Sequence, residues 1–330
     1  MARTTDKHYT GAAWYQREVN IPAEWENRPI ELELERTHWS TTLFVDGKET
    51  GSRNSLQTPH RYILEGLQAG EHTLTLRVDN RLYVDVGYNA HSVSDHTQSN
   101  WNGIVGDIRL TAKPSLYLGD IRIDPDIRNK QAHVKIELKG EAPDTDQPEL
   151  SLQAKTLDGK PMGKSVRLSL GKEQTVEATV DLGADAGLWS EHTPNVYRME
   201  VTLHTAAGED HAAPNFGLRE FKANGTRFEV NGRPVFLRGT LECCIFPLTG
   251  YPSMEKDYWA KIYRTCKEYG LNHVRFHSWC PPEVAFHVAD SLGIYLQVEC
   301  GGWAEVGSGK PQDRWFEEES QRILREYGNH

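Results

Sequence analysis

Apolar residues recur at every second position through most of this chain, and then the rhythm changes. "TTLFVDG", "HTLTLRVDN", "HVKIELKG" and "YRMEVTLHT" alternate apolar and polar residues and are bounded by Gly, Asn and Asp. A period of two puts successive side chains on opposite faces, so these segments are expected to be half-buried strands. Many short strands at this spacing predict antiparallel sandwiches. A fresh strand series starts after "GDIRLTAKP", which places a first boundary at about residue 114. Beyond "FEVNGRPVFLRGT" the pattern becomes strand then helix. Strand "PVFLRG" precedes helix "MEKDYWAKIYRTCKEYG", with Ser253 as N-cap, Glu255 in the first turn and Gly270 at C′. Strand "NHVRFHSW", helix "PEVAFHVADSLG", strand "IYLQVE" and helix "WFEEESQRILREYG" follow. Alternating strands and helices imply a parallel sheet, either an open α/β sheet or a (β/α)8 barrel. Only three units can be counted, so a barrel here is expected to be incomplete. The expected architecture is multidomain and mainly β followed by α/β, with units at 1–114, 115–222 and 223–330.

Parity within the parallel strands favours a barrel mouth. Val274 and Phe276 share one face and Arg275 and His277 the other; Ile294, Leu296 and Val298 oppose Gln297 and Glu299; Arg238 and Glu242 share a face. Strands covered on both sides in a doubly wound sheet are apolar throughout. Polar residues near the C-terminal ends suit an upper barrel interior that carries a site; the alternative is an edge sheet with a solvated face.

Charge and composition exclude several classes. A net charge of -10 argues against nucleic acid, which needs a basic surface. No run of about 18 apolar residues is present, so no membrane span is expected. The first residues, "MARTTDKHYTGAAWYQREV", carry no apolar signal-peptide core. All five cysteines lie between Cys243 and Cys300 without CxxC spacing, which disfavours a disulfide scaffold and a zinc site. No metal and no cofactor is expected.

Six segments together resemble glycoside hydrolase family 2, which includes β-galactosidases, β-glucuronidases and β-mannosidases. They are "GAAWYQREVNIP", "LFVDGKETG", "WNGIVGDIRL", "LWSEHTPNVYRMEV", "FGLREFKANGTRFEVNGRPVFLRG" and "NHVRFHSWCPP". Their order is the family's order, and the resemblance covers nearly the whole chain. It implies a jelly-roll sugar-binding domain, an immunoglobulin-like sandwich and the start of a TIM barrel. It implies a retaining exo-β-glycosidase acting at non-reducing ends, most like a β-galactosidase, with carbohydrate as partner. It also implies that both catalytic glutamates lie beyond His330, because the family carries them at the ends of barrel strands four and seven. Retaining hydrolysis needs two carboxyl groups about 5–5.5 Å apart, and no pair of positions here matches the family's. "EESQRILREYGNH" then reads as the third barrel helix of an unfinished domain. On this reading the chain alone is inactive and an opening strand is missing before "YTGAAWY"; polysaccharide breakdown favours a periplasmic or secreted parent, with a cytoplasmic one as the alternative.

Candidate substrate contacts follow from strand ends and loops. Glu242 and Glu299 are expected to partner Arg238 and Arg275 or to position substrate, since a buried unpaired charge is costly; the bolder reading makes them the carboxylate pair. His277 is a candidate for substrate contact or for supporting one. Trp279 and Trp303 are candidate sugar platforms, with ordinary core packing as the alternative. The family often reads Arg-x-Ser-His-Tyr-Pro where this chain reads Arg275-Phe276-His277-Ser278-Trp279-Cys280-Pro281, one residue longer, and has Asn and His where this chain has "TLECC". In "SDHTQSNWNGI", Asp95, His96 and Asn100 are candidate sugar contacts, and a solvated loop is the alternative. Trp14 and Trp101 are expected in the core, and Cys243, Cys280 and Cys300 are expected near one another. Two other functions stay open: a non-catalytic carbohydrate-binding or interaction protein, and a fragment that completes a partner chain. Three barrel strands leave an open parallel edge, where self-association or a partner chain is expected.

Overall fold

A computed structural model describes residues 9–94, 96–97, 100–307 and 309–330. The first sandwich comprises β1 (Ala12–Ile21), β2 (Ile30–His38), β3 (Ser40–Val45), β4 (Lys48–Arg53), β5 (His60–Leu64), β6 (Gly70–Asp79) and β7 (Gly103–Ala112). One sheet has the order β1-β6-β3-β4 and the other β5-β2-β7. The alternation predicted from sequence is what fills the space between them. Ile30, Leu32 and Leu34 of β2 are buried, while Glu31 and Glu33 point away. Trp14 corrects one expectation: it is 59% exposed, not core. Register explains it, because Trp14 sits opposite Arg77 on the outer face of β1–β6 while its neighbours Ala13 and Tyr15 oppose Val78 and Leu76.

The second sandwich comprises β8 (Leu116–Asp126), β9 (Gln131–Gly140), β10 (Glu149–Thr156), β11 (Pro161–Ser169), β12 (Thr175–Asp181), β13 (Tyr197–Thr205), β14 (Gly208–Ala212) and β15 (Asn215–Phe216). Sheet β12-β9-β8 faces sheet β11-β10-β13-β14, with β15 on β13. Val134, Ile136, Leu150, Leu152, Met199 and Val201 form the centre of its core.

A small antiparallel sheet of β16 (Phe221–Asn224), β17 (Arg227–Val230) and β18 (Arg233–Val235) leads into the α/β region. Here the strand expected at "PVFLRG" divides. Asn231 and Gly232 both have positive φ (53° and 74°), and this turn folds Arg233–Val235 back onto β17. The first parallel strand is instead β19 (Gly239–Glu242), followed by α1 (Lys256–Glu268), β20 (His273–Phe276), α2 (Glu283–Leu292), β21 (Tyr295–Val298) and α3 (Pro311–Tyr327). The sheet order is β19-β20-β21, all parallel. Each helix packs on the core through a stripe; in α1 it is Trp259, Ala260, Tyr263 and Cys266. Ser253 is not the N-cap of α1. That position is Glu255, and the Ser253 hydroxyl accepts the Glu255 N–H at 3.1 Å in the extended segment before the helix. Gly270, at φ 74°, does follow the helix end. The third helix starts four residues before the expected Trp315, because Pro311 occupies its first turn, where a missing N–H costs nothing.

The three regions are fastened together by buried polar groups. Glu319 of α3 is fully buried, and its Oε1 accepts the Ser55 hydroxyl and the N–H groups of Leu56 and Gln57 at 2.8–2.9 Å. The Trp189 indole of the second sandwich donates to the carbonyl of Asp290 in α2 at 2.8 Å. Trp101, on the loop before β7, is buried among Trp259, Phe276 and Trp279 of the α/β region, as its expected core role requires.

Candidate functional site at the ends of the parallel strands

Register determines what converges here. Glu242, Phe276 and Val298 lie side by side at the last paired row of the parallel sheet. The next residues along the three strands are therefore Cys243, His277 and Glu299. Loops of the first sandwich approach the same end, so His91 and Trp101 join residues nearly two hundred positions later in the chain.

Glu299 is fully engaged. Its Oε1 accepts Arg275 Nε at 2.5 Å, and its Oε2 accepts the Ser278 N–H at 2.5 Å. This is the Arg275 partnership expected from sequence, with the added task of holding the turn after β20, where Ser278 adopts φ 53°. Glu242 does not meet Arg238. The Arg238 side chain turns away to the Gly270 carbonyl at 2.7 Å and to Glu191 at 3.4 Å. The Glu242 carboxylate instead accepts the N–H groups of Cys244 (3.0 Å) and Ile245 (3.3 Å). Burial outweighs those two donors and pushes its pKa up to about 7. Burial, followed by the nearby Glu242, also raises the Cys243 thiol.

Three rings form a chain across the site. His277 stands edge-on to Trp303 at 4.9 Å between centroids and to His91 at 4.8 Å. Trp303 is 50% exposed, so part of it is open to a ligand. Its position depends on a close backbone approach. The Trp303 N–H donates to the Val86 carbonyl at 2.5 Å, and a Cβ on Gly87 (φ 88°) would come within 2.5 Å of the Trp303 carbonyl carbon. Trp279 takes the core-packing alternative, not the platform one. It is fully buried against Phe246, Phe276 and Trp259 and offers no face to a sugar. Its place in the sequence suggested a mouth residue, but the turn at Ser278 sends it inward.

Asn100 donates from Nδ2 to the Val93 carbonyl at 2.9 Å, which ties its loop together. Asp95 lies outside the described residues. His96 stacks on Tyr88 at 3.7 Å between centroids. The sequence reading missed His91, whose ring Nδ1 lies 2.8 Å from the Ser278 hydroxyl. It also missed the supports behind the strand end: Gln57 Oε1 accepts the Cys280 N–H at 2.9 Å, and buried Arg36 donates to the Cys280 carbonyl at 3.0 Å. A lone histidine, glutamine or arginine 187 to 244 residues away gives no local signal.

All five cysteines are free thiols. Cys243 lies with His91 and His277, whereas Cys300 Sγ faces the Phe316 carbonyl of α3. The ligand atoms of His91, Cys243 and His277 all fall within 4.8 Å of one another. A second group, Glu283, His287 and His330, is similarly close; His330 Nδ1 lies 2.6 Å from Asp290, and His287 Nδ1 lies 3.2 Å from Asn215 Nδ2.

Residues 116–219 match the family model of glycosyl hydrolases family 2. A β-galactosidase of Aeromonas hydrophila subsp. hydrophila is 24% identical over 94% of this chain and 31% of its own length. One from Priestia megaterium is 20% identical over 92% and 30%. The chain thus spans about a third of the length of these curated relatives. Among solved structures, the β-glucuronidase of Bacteroides uniformis has the same fold over 99% of this chain and 40% of its own, at 23% identity and a TM-score of 0.79. A family 2 β-galacturonidase from Eisenbergiella tayi, bound to galacturonate, aligns over 98% and 56% at 20% identity with a TM-score of 0.77.

Proposed function

We propose that the chain belongs to glycosyl hydrolases family 2, as the family-model match over residues 116–219 and the likeness to β-galactosidases support, and that it is the sugar-recognising portion of a retaining β-glycosidase. The whole enzyme cleaves O-glycosidic bonds at non-reducing ends, with β-galactosides the first substrates to try. The α/β region serves as the first three strand–helix units of a (β/α)8 barrel, and the two sandwiches before it are the jelly-roll and immunoglobulin-like domains. The single observation that carries this reading is the half-exposed Trp303, joined through His277 to the ends of the parallel strands. Such a ring stacks on the apolar C–H face of a pyranose while neighbouring polar groups read its hydroxyls.

The catalytic pair is not assigned to Glu242 and Glu299. Both oxygens of Glu299 are occupied by Arg275 and Ser278, which suits a positioning role and leaves no lone oxygen for nucleophilic attack. Glu242 holds its proton near neutrality, and its carboxylate accepts the N–H groups of Cys244 and Ile245, which suits holding that loop rather than the nucleophile's part in retaining chemistry.

Calorimetric titration with galactose, glucuronic acid and mannose tests the proposal. One of them is expected to bind weakly, and Trp303→Ala is expected to weaken that binding about fivefold, the loss of one stacking contact of roughly 1 kcal/mol. The chain is expected not to hydrolyse nitrophenyl β-glycosides. Absence of heat with every sugar overturns the recognition role, and turnover abolished by joint Glu242→Gln and Glu299→Gln substitution overturns the placement of the catalytic pair.

A further inference from the structure

We propose that His91, Cys243 and His277 form a binding site for one soft divalent transition ion of the Zn2+ class. This does not rest on the sugar reading, since the metal is read directly. The three residues come from three separate elements: a loop of the first sandwich, the end of β19 and the end of β20. Their ligand atoms already lie within 4.8 Å of one another. An ion at 2.0–2.3 Å from each sets those atoms about 3.3–3.8 Å apart, so small side-chain rotations close the set.

Three further observations favour an ion over ordinary packing. First, His277 Nδ1 is buried and has no hydrogen-bond partner among the described residues. A buried polar atom without a partner is costly, and coordination satisfies it. Second, the Ser278 hydroxyl lies 2.8 Å from His91 Nδ1, the outer-shell contact that fixes the tautomer and orientation of a ligating imidazole. Third, two imidazoles and a thiol suit Zn2+ or Co2+ and do not suit Mg2+ or Ca2+, which take oxygen ligands. Three protein ligands leave the fourth tetrahedral position open, as in catalytic rather than structural zinc sites. On binding, the Cys243 S–H bond breaks, its proton leaves to solvent, and the sulfur electron pair forms the bond to the metal.

The test uses the whole reduced chain with Co2+ as probe. A 1:1 complex with a thiolate-to-cobalt charge-transfer band in the near ultraviolet is expected, and added Zn2+ should displace it. Cys243→Ser should abolish the band, and Ser278→Ala should weaken Zn2+ binding about 10- to 100-fold. His277→Ala, checked for folding by circular dichroism, gives an independent reading should the Cys243 variant not fold. Absence of a band in the unmodified chain overturns the site. A band that survives in Cys243→Ser also overturns it, because the metal then sits on one of the other four cysteines.

Discussion

Glu242 receives two backbone N–H groups, yet burial still holds its proton to about pH 7. The unfolded chain releases that proton near 4.5, so between about 4.5 and 7 the folded state binds more protons than the unfolded one. Stability from this group is therefore greatest in acid and falls as pH rises across that window. Glu242→Gln removes the ionisation while keeping an acceptor for Cys244. The variant is expected to match the parent at pH 4 and to exceed it by on the order of 1–3 kcal/mol at pH 8. Urea unfolding at the two pH values measures this; an equal effect at both would mean that ionisation is not the cause. Glu299, one residue past β21, is instead paired with Arg275 at 2.5 Å, an opposite charge that Glu242 lacks.

At the scale of elements, α3 acts as a clamp. Glu319 gathers the Ser55 hydroxyl and two consecutive N–H groups of the loop between β4 and β5, and Arg322 supplies the counter-charge at 2.8 Å. Gln57 of that loop then holds Cys280 just past the candidate site. Glu319→Ala strands the Leu56 and Gln57 N–H groups and the Arg322 charge, and is expected to cost about 3–5 kcal/mol by denaturant titration. A loss under 1 kcal/mol would show the clamp to be slack. None of this was legible in the sequence, where Glu319 looks like one more acid on a polar helix and its partners lie more than 260 positions earlier. The period-two strands were legible, because Ile30, Leu32 and Leu34 announce their own buried face. So were the three strand–helix units and the Arg275–Glu299 pair. Trp14 was misplaced and Trp279 left open for one reason: residue type says a side chain is apolar, but only register and turn geometry say where it points.

At the scale of the whole molecule, β21 is an unpaired edge of its sheet among the described residues. Beside it runs a groove of about 540 Å³, lined by Phe221, Phe228, Tyr295, Leu296 and Leu324 among others. Apolar surface of this kind next to an open strand edge favours association. We expect concentration-dependent self-association in sedimentation velocity, reduced by Leu324→Glu at a position that is 69% exposed. A monomer at every concentration would count against the open edge. The same long-range design has a consequence in time. His91 and Ser278 touch across 187 positions of sequence. At roughly 5–20 residues per second of synthesis, His91 leaves the ribosome about 10–40 s before its partner exists. The first sandwich has time to fold while its loop still faces solvent, and the nascent chain later docks onto a wall already standing.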